Sequence, residues 1–312
     1  MITRRVTASE NGKRLHRYIC SLMPNFPLGQ IYKMIEQGKV RVNGKRKNQN
    51  YELQTLDEVS IYVDEMTFQQ SAGEVKKPKF IGVSSKLDIR YEDDELLVVN
   101  KEAGLLTHPD SSESKHTLIT QVHAYLYRQG KLDSTLFLPA PANRLDRNTS
   151  GLVLIGKSAG MLHQLNQWIQ LRQIEKYYLT IVQGTVTGTG EITGSLMRDQ
   201  AMNRTWVALN SDEAKEAKTR YEVLDCRSGY SLVSVELLSG RTHQIRSHFQ
   251  SIGHPLLGDM KYGGKPYEDI RHQLLHAWKV VFPDGRTFIA QPPNLFTKML
   301  HQLQLKYLIA PH

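Results

Sequence analysis

The sequence predicts an α+β protein: a mixed, mostly antiparallel β-sheet domain with flanking helices, preceded by a small α/β unit at the N-terminus. Three observations lead to this prediction. Amphipathic helical patterns are interspersed with short apolar runs along the whole chain. Between residues 184 and 239, several strand patterns separated by glycines follow one another, which is typical of an antiparallel meander. Basic charge is concentrated in the first fifth of the chain, which sets that segment apart.

The composition is that of a basic globular protein. The 312 residues are enough for one large and one small domain. Lys and Arg number 40 against 31 Asp and Glu, giving a net charge of +9. This excess favours a polyanionic partner, although a basic enzyme with a solvated surface would look the same. Cys20 and Cys226 lack metal-binding spacing and indicate a reducing compartment. Without an apolar leader or a membrane-length apolar run, we expect a cytoplasmic protein with no membrane partner.

Residues 1–63 are predicted to form the small unit. Helical patterns at 13–23 and 28–37 precede a strand at 40–42, a tight turn at Asn43-Gly44 and a closing strand at 59–63. Two short helices followed by Gly-Lys-Val-Arg-Val-Asn-Gly resemble the RNA-binding module named after ribosomal protein S4. The segment holds eleven basic and five acidic residues. The cations that we expect to contact RNA phosphates are Lys13, Arg14, Arg17, Lys33, Lys39, Arg41 and Lys45. The alternative is a basic helical appendage that docks on the main domain.

The next two segments are a linker and the start of the main domain. Residues 64–86 lose periodicity and contain the linker-like stretches 69–73 and 76–79. The main domain is predicted to span 87–312. Its first elements are a buried strand at 96–100 and an amphipathic helix at 118–128.

A polar loop that leads into a buried strand holds the first candidate site residue. Asp146 stands between Arg144 and Arg147, and the apolar run 152–156 follows directly. The two cations favour the ionised form of Asp146. A carboxylate in a loop anchored by a rigid strand is a candidate nucleophile or base. The competing interpretation is an Asx-turn, in which the Asp side chain only bonds nearby backbone.

The remaining elements are a helix at 158–172 with Ser158 as its N-cap, a strand at 176–182, a hairpin at 279–290 and a helix at 295–305. In the strand, Tyr177 and Tyr178 must face opposite sides, and cross-strand packing would account for both.

A second motif, Ser-Gly-Arg-Thr-His-Gln-Ile-Arg, predicts a helix that begins near Arg241. Ile245, Phe249 and Ile252 recur at helical spacing, and Arg246 lies near this apolar stripe. A guanidinium on the buried side needs an anionic partner, and Asp146 could supply it. His243 has no second ligand at a suitable spacing, so we expect no metal site here.

These motifs together resemble the RluA family of RNA pseudouridine synthases. Arg-Leu-Asp-Arg-x-Thr-Ser-Gly followed by a strand is similar to the catalytic motif of that family. Three further motifs match the family and stand in the family's order along the chain: Gly-Leu-Leu-Thr-His-Pro at 104–109, before the Arg-Leu-Asp motif, and Lys-x-Tyr at 176–178 and Gly-Arg-Thr-His-Gln-Ile-Arg at 240–246, after it. The resemblance covers about 87–305 and implies the pseudouridine synthase fold. Two positions differ, because Asn143 stands where the family has His and Glu102 where it has Pro.

The resemblance implies an isomerase that converts uridine in structured RNA to pseudouridine without a cofactor or a metal. Asp146 would be the essential carboxylate, acting on the ribose by covalent attack at C1′ or by proton abstraction. Tyr178 would stack on the uracil or act in proton transfer, and Arg246 would hold Asp146 ionised. The active-site RNA-binding residues would be Arg144, which fills the gap left by the flipped base, Arg147 and Arg241.

The implied RNA is large-subunit (23S) ribosomal RNA, as for the RluC- and RluD-like members of the family, and we expect a monomer. Two other classes stay open at this stage. One is a non-catalytic RNA-binding or ribosome-assembly factor that retains the fold, for which Asn143 and Glu102 are hints. The other is a glycosidase-like hydrolase, which would normally need a second acidic catalyst.

Overall fold

The computed structural model describes residues 1–72, 80–132, 137–199, 202–208 and 214–307. Its mixed α/β architecture agrees with the predicted fold class. The α-helices are α1 (Leu15–Leu22), α2 (Leu28–Glu36), α3 (Glu65–Ala72), α4 (Leu118–Arg128), α5 (Ala159–Gln170), α6 (Gln244–Ser251) and α7 (Asn294–Gln302). The strands are β1 (Ile2–Arg5), β2 (Val40–Val42), β3 (Glu58–Ile61), β4 (Ile89–Glu92), β5 (Leu96–Lys101), β6 (Ala140–Pro141), β7 (Ser150–Gly156), β8 (Glu175–Gln183), β9 (Thr189–Asp199), β10 (Arg204–Ala208), β11 (Lys215–Arg227), β12 (Tyr230–Leu237), β13 (Leu275–Val281) and β14 (Thr287–Ile289).

The N-terminal unit has its own sheet and its own core. Strands β1, β3 and β2 form an antiparallel sheet in that order. Helices α1 and α2 bury Leu15, Ile19 and Ile31 in an apolar cluster that belongs to this unit alone. The predicted tight turn is present, with positive φ angles of 51° at Asn43 and 73° at Gly44. Strand β1 was not predicted because it carries a single apolar residue at its start.

The segment predicted as a linker begins with a helix. The carboxylate of Asp64 accepts hydrogen bonds from the backbone N–H and the hydroxyl of Thr67, both at 2.7 Å, and so caps α3. Phe68 packs against the N-terminal core. The sequence of α3, Glu-Met-Thr-Phe-Gln-Gln-Ser-Ala, has little of the apolar periodicity by which the other helices were predicted. This is why the segment was predicted to be a linker. The linker-like stretch 76–79 lies outside the described residues.

In the described part of the chain, the main domain is built on a sheet of eleven strands. Nine follow one another in the order β10-β9-β11-β12-β8-β13-β7-β5-β4, with β14 paired to β13 and β6 to β7. The described pairings are antiparallel except for β13 and β7, where His276 lies beside Ser150. The strands approach closely there, since a Cβ atom at Gly151 would lie 2.2 Å from the carbonyl oxygen of Ala277. Gly151 therefore lets the strand after the Asp146 loop pass against β13.

Helices cover both faces of the central strands. Leu97 and Val99 of β5 belong to the apolar cluster that contains α4, whereas Leu96 and Val98 belong to the cluster that contains α5. This alternation makes both faces of β5 buried. The hydroxyl of Ser158 accepts a hydrogen bond from the backbone of Met161 at 3.1 Å, which confirms the predicted N-cap of α5. None of the described helices combines the length and apolar character needed to cross a membrane.

Helix α6 begins three residues later than predicted. His243 adopts a left-handed conformation with φ of 53°, so helical geometry cannot extend back to Arg241. The side chain of Gln244 instead folds back, and its Oε1 accepts a hydrogen bond from the backbone N–H of Arg241 at 3.0 Å. The turn before α6 is therefore not part of the helix. It is held by the Gln244 side chain and carries His243.

Candidate active site

The loop that carries Asp146 is fixed by the segment that follows β5. The hydroxyl of Thr107 donates to the carbonyl of Leu145 at 3.0 Å and accepts from its N–H at 3.2 Å. The N–H of Gly104 donates to the carbonyl of Arg147 at 2.8 Å. Both neighbours of Asp146 in the chain are thus held through their backbone, which limits the positions open to its carboxylate.

Lys101 completes this support and was not predicted as a site residue. It is buried at the end of β5, and its ammonium donates to the carbonyls of Leu105 at 2.7 Å, Glu102 at 2.8 Å and Arg147 at 3.1 Å. All three N–H bonds are used, as a buried charge requires. Burial lowers the pKa of Lys101, and the negative charge of Asp146 opposes that shift. In the sequence, the apolar run 96–99 and Asn100 precede Lys101, and the end of this strand was the signal available.

Arg246 contacts Asp146, as expected from its position on the apolar side of α6. Its Nη1 donates to Oδ2 of Asp146 at 3.1 Å. The remaining donors make a two-bond fork to Asp259, with Nε to Oδ2 at 2.7 Å and Nη2 to Oδ1 at 2.8 Å. The ring centre of Tyr262 lies 4.7 Å from the guanidinium carbon. Sequence reasoning missed Asp259, although it ends the Gly-His-Pro-Leu-Leu-Gly-Asp run after α6.

Burial increases along this chain of charges. The exposed fraction of the side chain is 29% for Asp146, 7% for Arg246 and 1% for Asp259. A guanidinium held by two bonds to a buried carboxylate has a fixed orientation. The third nitrogen of the guanidinium, Nη1, therefore points at Asp146 before any substrate is present.

His243 is a second neighbour of Asp146 that was not predicted to act in the site. Its Nε2 lies 3.6 Å from Oδ2 of Asp146, and its Nδ1 lies 2.9 Å from the hydroxyl of Tyr262. That hydroxyl also accepts the N–H of Thr205 at 2.8 Å. In the tautomer in which the hydroxyl donates to Nδ1, the ring proton is on Nε2 and faces Asp146. Burial lowers the pKa of His243 to about 4, so the ring is neutral at physiological pH. Among the described residues, no three His, Cys, Asp or Glu side chains could together hold a metal ion.

Tyr178 lies in the same cleft as Asp146. It is buried on β8, and burial together with the negative charge of Asp146 raises the pKa of its hydroxyl. The group therefore stays protonated at neutral pH. Tyr177 faces the other way, as the strand period requires: its hydroxyl donates to Glu175 at 2.7 Å, and the ammonium of Lys279 lies 4.2 Å from its ring centre.

The cleft around Asp146 has a volume of about 360 Å³ and is lined by Tyr178, His243 and Arg246 as well as by Arg144 and Arg241. Arg144 is exposed, and its guanidinium forms no hydrogen bond or ion pair with the described residues. The Nε of Arg241 donates to the carbonyl of Glu216 at 3.3 Å. Arg147 points away towards Ser112, whose hydroxyl accepts from its Nη2 at 2.7 Å.

The two positions that depart from the family pattern have structural explanations. The side chain of Asn143 donates to the carbonyl of Leu152 at 3.2 Å and accepts the N–H of Leu154 at 2.8 Å. It thus extends the pairing of β6 with β7 in the manner of a peptide group. Glu102 is exposed, and its backbone carbonyl is a ligand of the Lys101 ammonium. Among the described residues, neither Asn143 nor Glu102 bonds to Asp146.

The predicted RNA-binding cations of the N-terminal unit differ in exposure. Lys13 is partly buried, its ammonium donates to the hydroxyl of Ser21 at 3.0 Å, and burial lowers its pKa to about 8. Arg41 is partly buried, with its guanidinium carbon 5.2 Å from the ring centre of Tyr62. The exposed members are Arg14, Arg17, Lys33, Lys39 and Lys45.

Comparison with known proteins assigns both units to families. Residues 95–251 match the RNA pseudouridylate synthase family, and residues 13–59 match the S4 domain. An RNA pseudouridine synthase of Chlorobaculum parvum is 36% identical over 267 residues, which cover 83% of this chain and 78% of that protein. The ribosomal large subunit pseudouridine synthase C of Escherichia coli is 31% identical over 265 residues, covering 84% and 80%.

A solved structure, the human RNA pseudouridylate synthase domain containing 4, has the same fold. Its TM-score is 0.59 at 22% identity, and the match covers 70% of this chain and 94% of that one. The family model, the relatives and the fold agree with the motifs around Asp146 and with the basic N-terminal unit. The chain therefore belongs to the RNA pseudouridylate synthase family of isomerases and carries an N-terminal S4 domain.

Proposed function

We propose that this protein isomerises specific uridines to pseudouridine in large-subunit (23S) ribosomal RNA, with Asp146 as the essential carboxylate. The observation that carries the proposal is the contact of Asp146 with Arg246, whose orientation Asp259 fixes, at the edge of an open cleft. The name of the Escherichia coli relative supports the choice of RNA.

The reaction breaks the N1–C1′ bond, turns the uracil and joins C1′ to C5. C5 loses a proton and N1 gains one, so atoms and oxidation state balance without a cofactor or a metal. Covalent attack at C1′ and abstraction of a ribose proton both start from an ionised Asp146. Arg246 brings a positive charge to within 3.1 Å of the Asp146 carboxylate, whereas His243 is neutral at physiological pH and brings none.

The target uridine must leave the stacked RNA to reach the cleft, at a cost of a few kcal/mol. Arg144 lines the cleft as an exposed cation with no bonded partner among the described residues, and we place it in the gap that the uridine leaves. Tyr178 would lie against the uracil ring. Because its hydroxyl stays protonated at neutral pH, it can stack or donate a proton but cannot act as a base.

We assign the two recognition tasks to different parts of the chain. Residues 1–63, with their exposed cations, would bind phosphates of the ribosomal RNA, residues 64–86 would act as a linker, and 87–312 would carry the chemistry. We propose that the protein acts as a monomer. Because the proposed substrate is ribosomal RNA, we place the protein in the cytoplasm.

One incubation tests this proposal. A uridine-labelled transcript of bacterial 23S ribosomal RNA is treated with the protein and digested, and the products are separated. We expect pseudouridine from the unaltered protein and none from Asp146→Asn, which should bind the transcript with nearly unchanged affinity. Asp284→Asn is the matched control, since Asp284 pairs with Arg286 in a remote hairpin. Release of free uracil, or normal turnover by Asp146→Asn, would refute the proposed mechanism.

A further inference from the structure

A second cleft adjoins the one that contains Asp146. It has a volume of about 590 Å³, and its lining shares five residues with the Asp146 cleft: Ile169, Lys176, Leu237, Gly240 and Arg241. The two clefts therefore meet along a common wall. A nucleotide placed at Asp146 would have its chain neighbours close to this junction.

Lys176 lies in that common wall. It precedes Tyr178 by two residues on β8, so both side chains leave the same face of the strand. A Cβ atom at Gly240 would lie 3.8 Å from the ammonium of Lys176, which places this ammonium beside the turn that leads to Arg241. The charge is thus located between the uridine cleft and the adjoining one.

The ammonium of Lys176 forms no hydrogen bond and no ion pair with the described residues. Two other lysines on the buried side of the main domain are bonded: Lys101 has three carbonyl ligands, and Lys157 lies 2.9 Å from Glu92. Lys279, which is partly buried, lies over the ring of Tyr177. Burial lowers the pKa of Lys176, and no carboxylate opposes that shift. A desolvated cation without a partner costs free energy that a bound anion would recover.

The acidic residues of the second cleft are already bonded. Glu191 lies 3.3 Å from Lys218, and Glu236 lies 2.6 Å from Arg220. Glu175 accepts the hydroxyl of Tyr177. This leaves three cations along the cleft without a carboxylate partner among the described residues: Arg172, Lys176 and Arg241. A run of uncompensated cations beside the uridine cleft suits a nucleic-acid backbone.

We propose that Lys176 binds a backbone phosphate of a nucleotide adjacent to the target uridine, and that the second cleft holds the flanking RNA strand. The proposal rests on the RNA-modifying function above and deepens it by naming a residue that positions the strand. Its role is in binding, so removal of the charge should raise KM for RNA and leave kcat largely intact.

The test compares Lys176→Met, Lys176→Arg and Lys279→Met with the unaltered full-length protein. Lys279→Met is the matched control, because Lys279 is also a partly buried strand lysine but lies over Tyr177, outside both clefts. Binding of a fluorescein-labelled oligouridylate is measured from low to moderate salt. Loss of one phosphate contact should lower the slope of log Kd against log salt by about 0.7 for single-stranded RNA.

We expect this lower slope for Lys176→Met only, with Lys176→Arg close to the unaltered protein. We also expect Lys176→Met to melt at an equal or higher temperature, because an unpaired, partly buried charge has been removed. An unchanged slope, an equal effect of Lys279→Met, or a lower melting temperature with unchanged binding would overturn the proposal. Failure of the unaltered protein to make pseudouridine would refute the proposed function, while the binding comparison would still decide the role of Lys176.

Discussion

Replacement of Arg246 tests how the carboxylate of Asp146 is held. Arg246→Ala would leave Asp259, only 1% exposed, without its two-bond partner. Breaking a buried ion pair in this way costs about 3–5 kcal/mol in free energy of unfolding. The bond to Asp146 contributes less, about 1 kcal/mol, because that carboxylate is 29% exposed and makes a single bond to the guanidinium.

Double-mutant cycles separate the two contributions. The free energies of unfolding are measured by urea denaturation for Arg246→Ala, Asp259→Ala, Asp146→Ala and the two double variants that contain Arg246→Ala. We expect a coupling energy of about 2 kcal/mol or more with Asp259 and below about 1 kcal/mol with Asp146. Arg220→Ala is the control, because Arg220 pairs with Glu236 on the exposed side of the sheet and should cost less than about 1 kcal/mol.

Catalysis gives a second measurement on the same variants. Asp259→Asn should lower kcat without weakening RNA binding, since it frees the guanidinium to turn away from Asp146. Arg246→Lys should restore little, because an ammonium cannot serve both carboxylates with the geometry of a fork. A coupling energy with Asp146 that equals or exceeds the one with Asp259 would refute the idea that Asp259 is the anchor. So would full kcat in Asp259→Asn.

Three further predictions concern other parts of the molecule. Deletion of residues 1–63 should leave a folded main domain but flatten the salt dependence of RNA binding; an unchanged slope would mean that these cations do not meet phosphate. Lys101→Met should cost about 3 kcal/mol or more in urea denaturation and lower kcat, because three carbonyls lose a charged donor; a neutral result would contradict its supporting role. Burial lowers the pKa of His243, His248 and His276 to about 4, so the unfolded chain binds more protons than the folded one between pH 4 and 6.5. Stability should therefore fall on acidification through that window, by up to about 1.4 kcal/mol per pH unit for each histidine, and His276→Asn should make the slope shallower.

The elements were predictable where a local pattern decides them. Helix α4 has the predicted bounds, and the loop of Asp146 leads into β7 as expected. The contact between Arg246 and Asp146, a hundred residues apart, was predicted from two sources: a buried guanidinium needs an anion, and the family resemblance pointed to Asp146 as that anion. The need for an anion does not say how many carboxylates will meet it, so the second partner of Arg246, Asp259, was missed.

Residues held by tertiary contacts escaped prediction. Asp259 and Lys101 are ordinary charged residues in sequence, and only the fold shows that both are buried and fully bonded. His243 depends on a left-handed backbone that no periodicity signals. Lys176 was noted as part of a family motif, but its lack of a partner is a property of the space around it.

The arrangement explains how a rigid sheet would present the carboxylate that we propose as the reactive group to an RNA. Asp146 belongs to a loop whose backbone is bonded to the segment after β5, and its carboxylate meets a guanidinium that a buried aspartate holds in place. The orienting bonds are therefore made before the RNA arrives, so substrate binding need not order them. The groups that would contact the RNA, Arg144 at the rim and Lys176 in the common wall, have no protein partner among the described residues. Preorganised bonds would thus support the proposed chemistry, while cations that have no partner among the described residues would be left to bind phosphates.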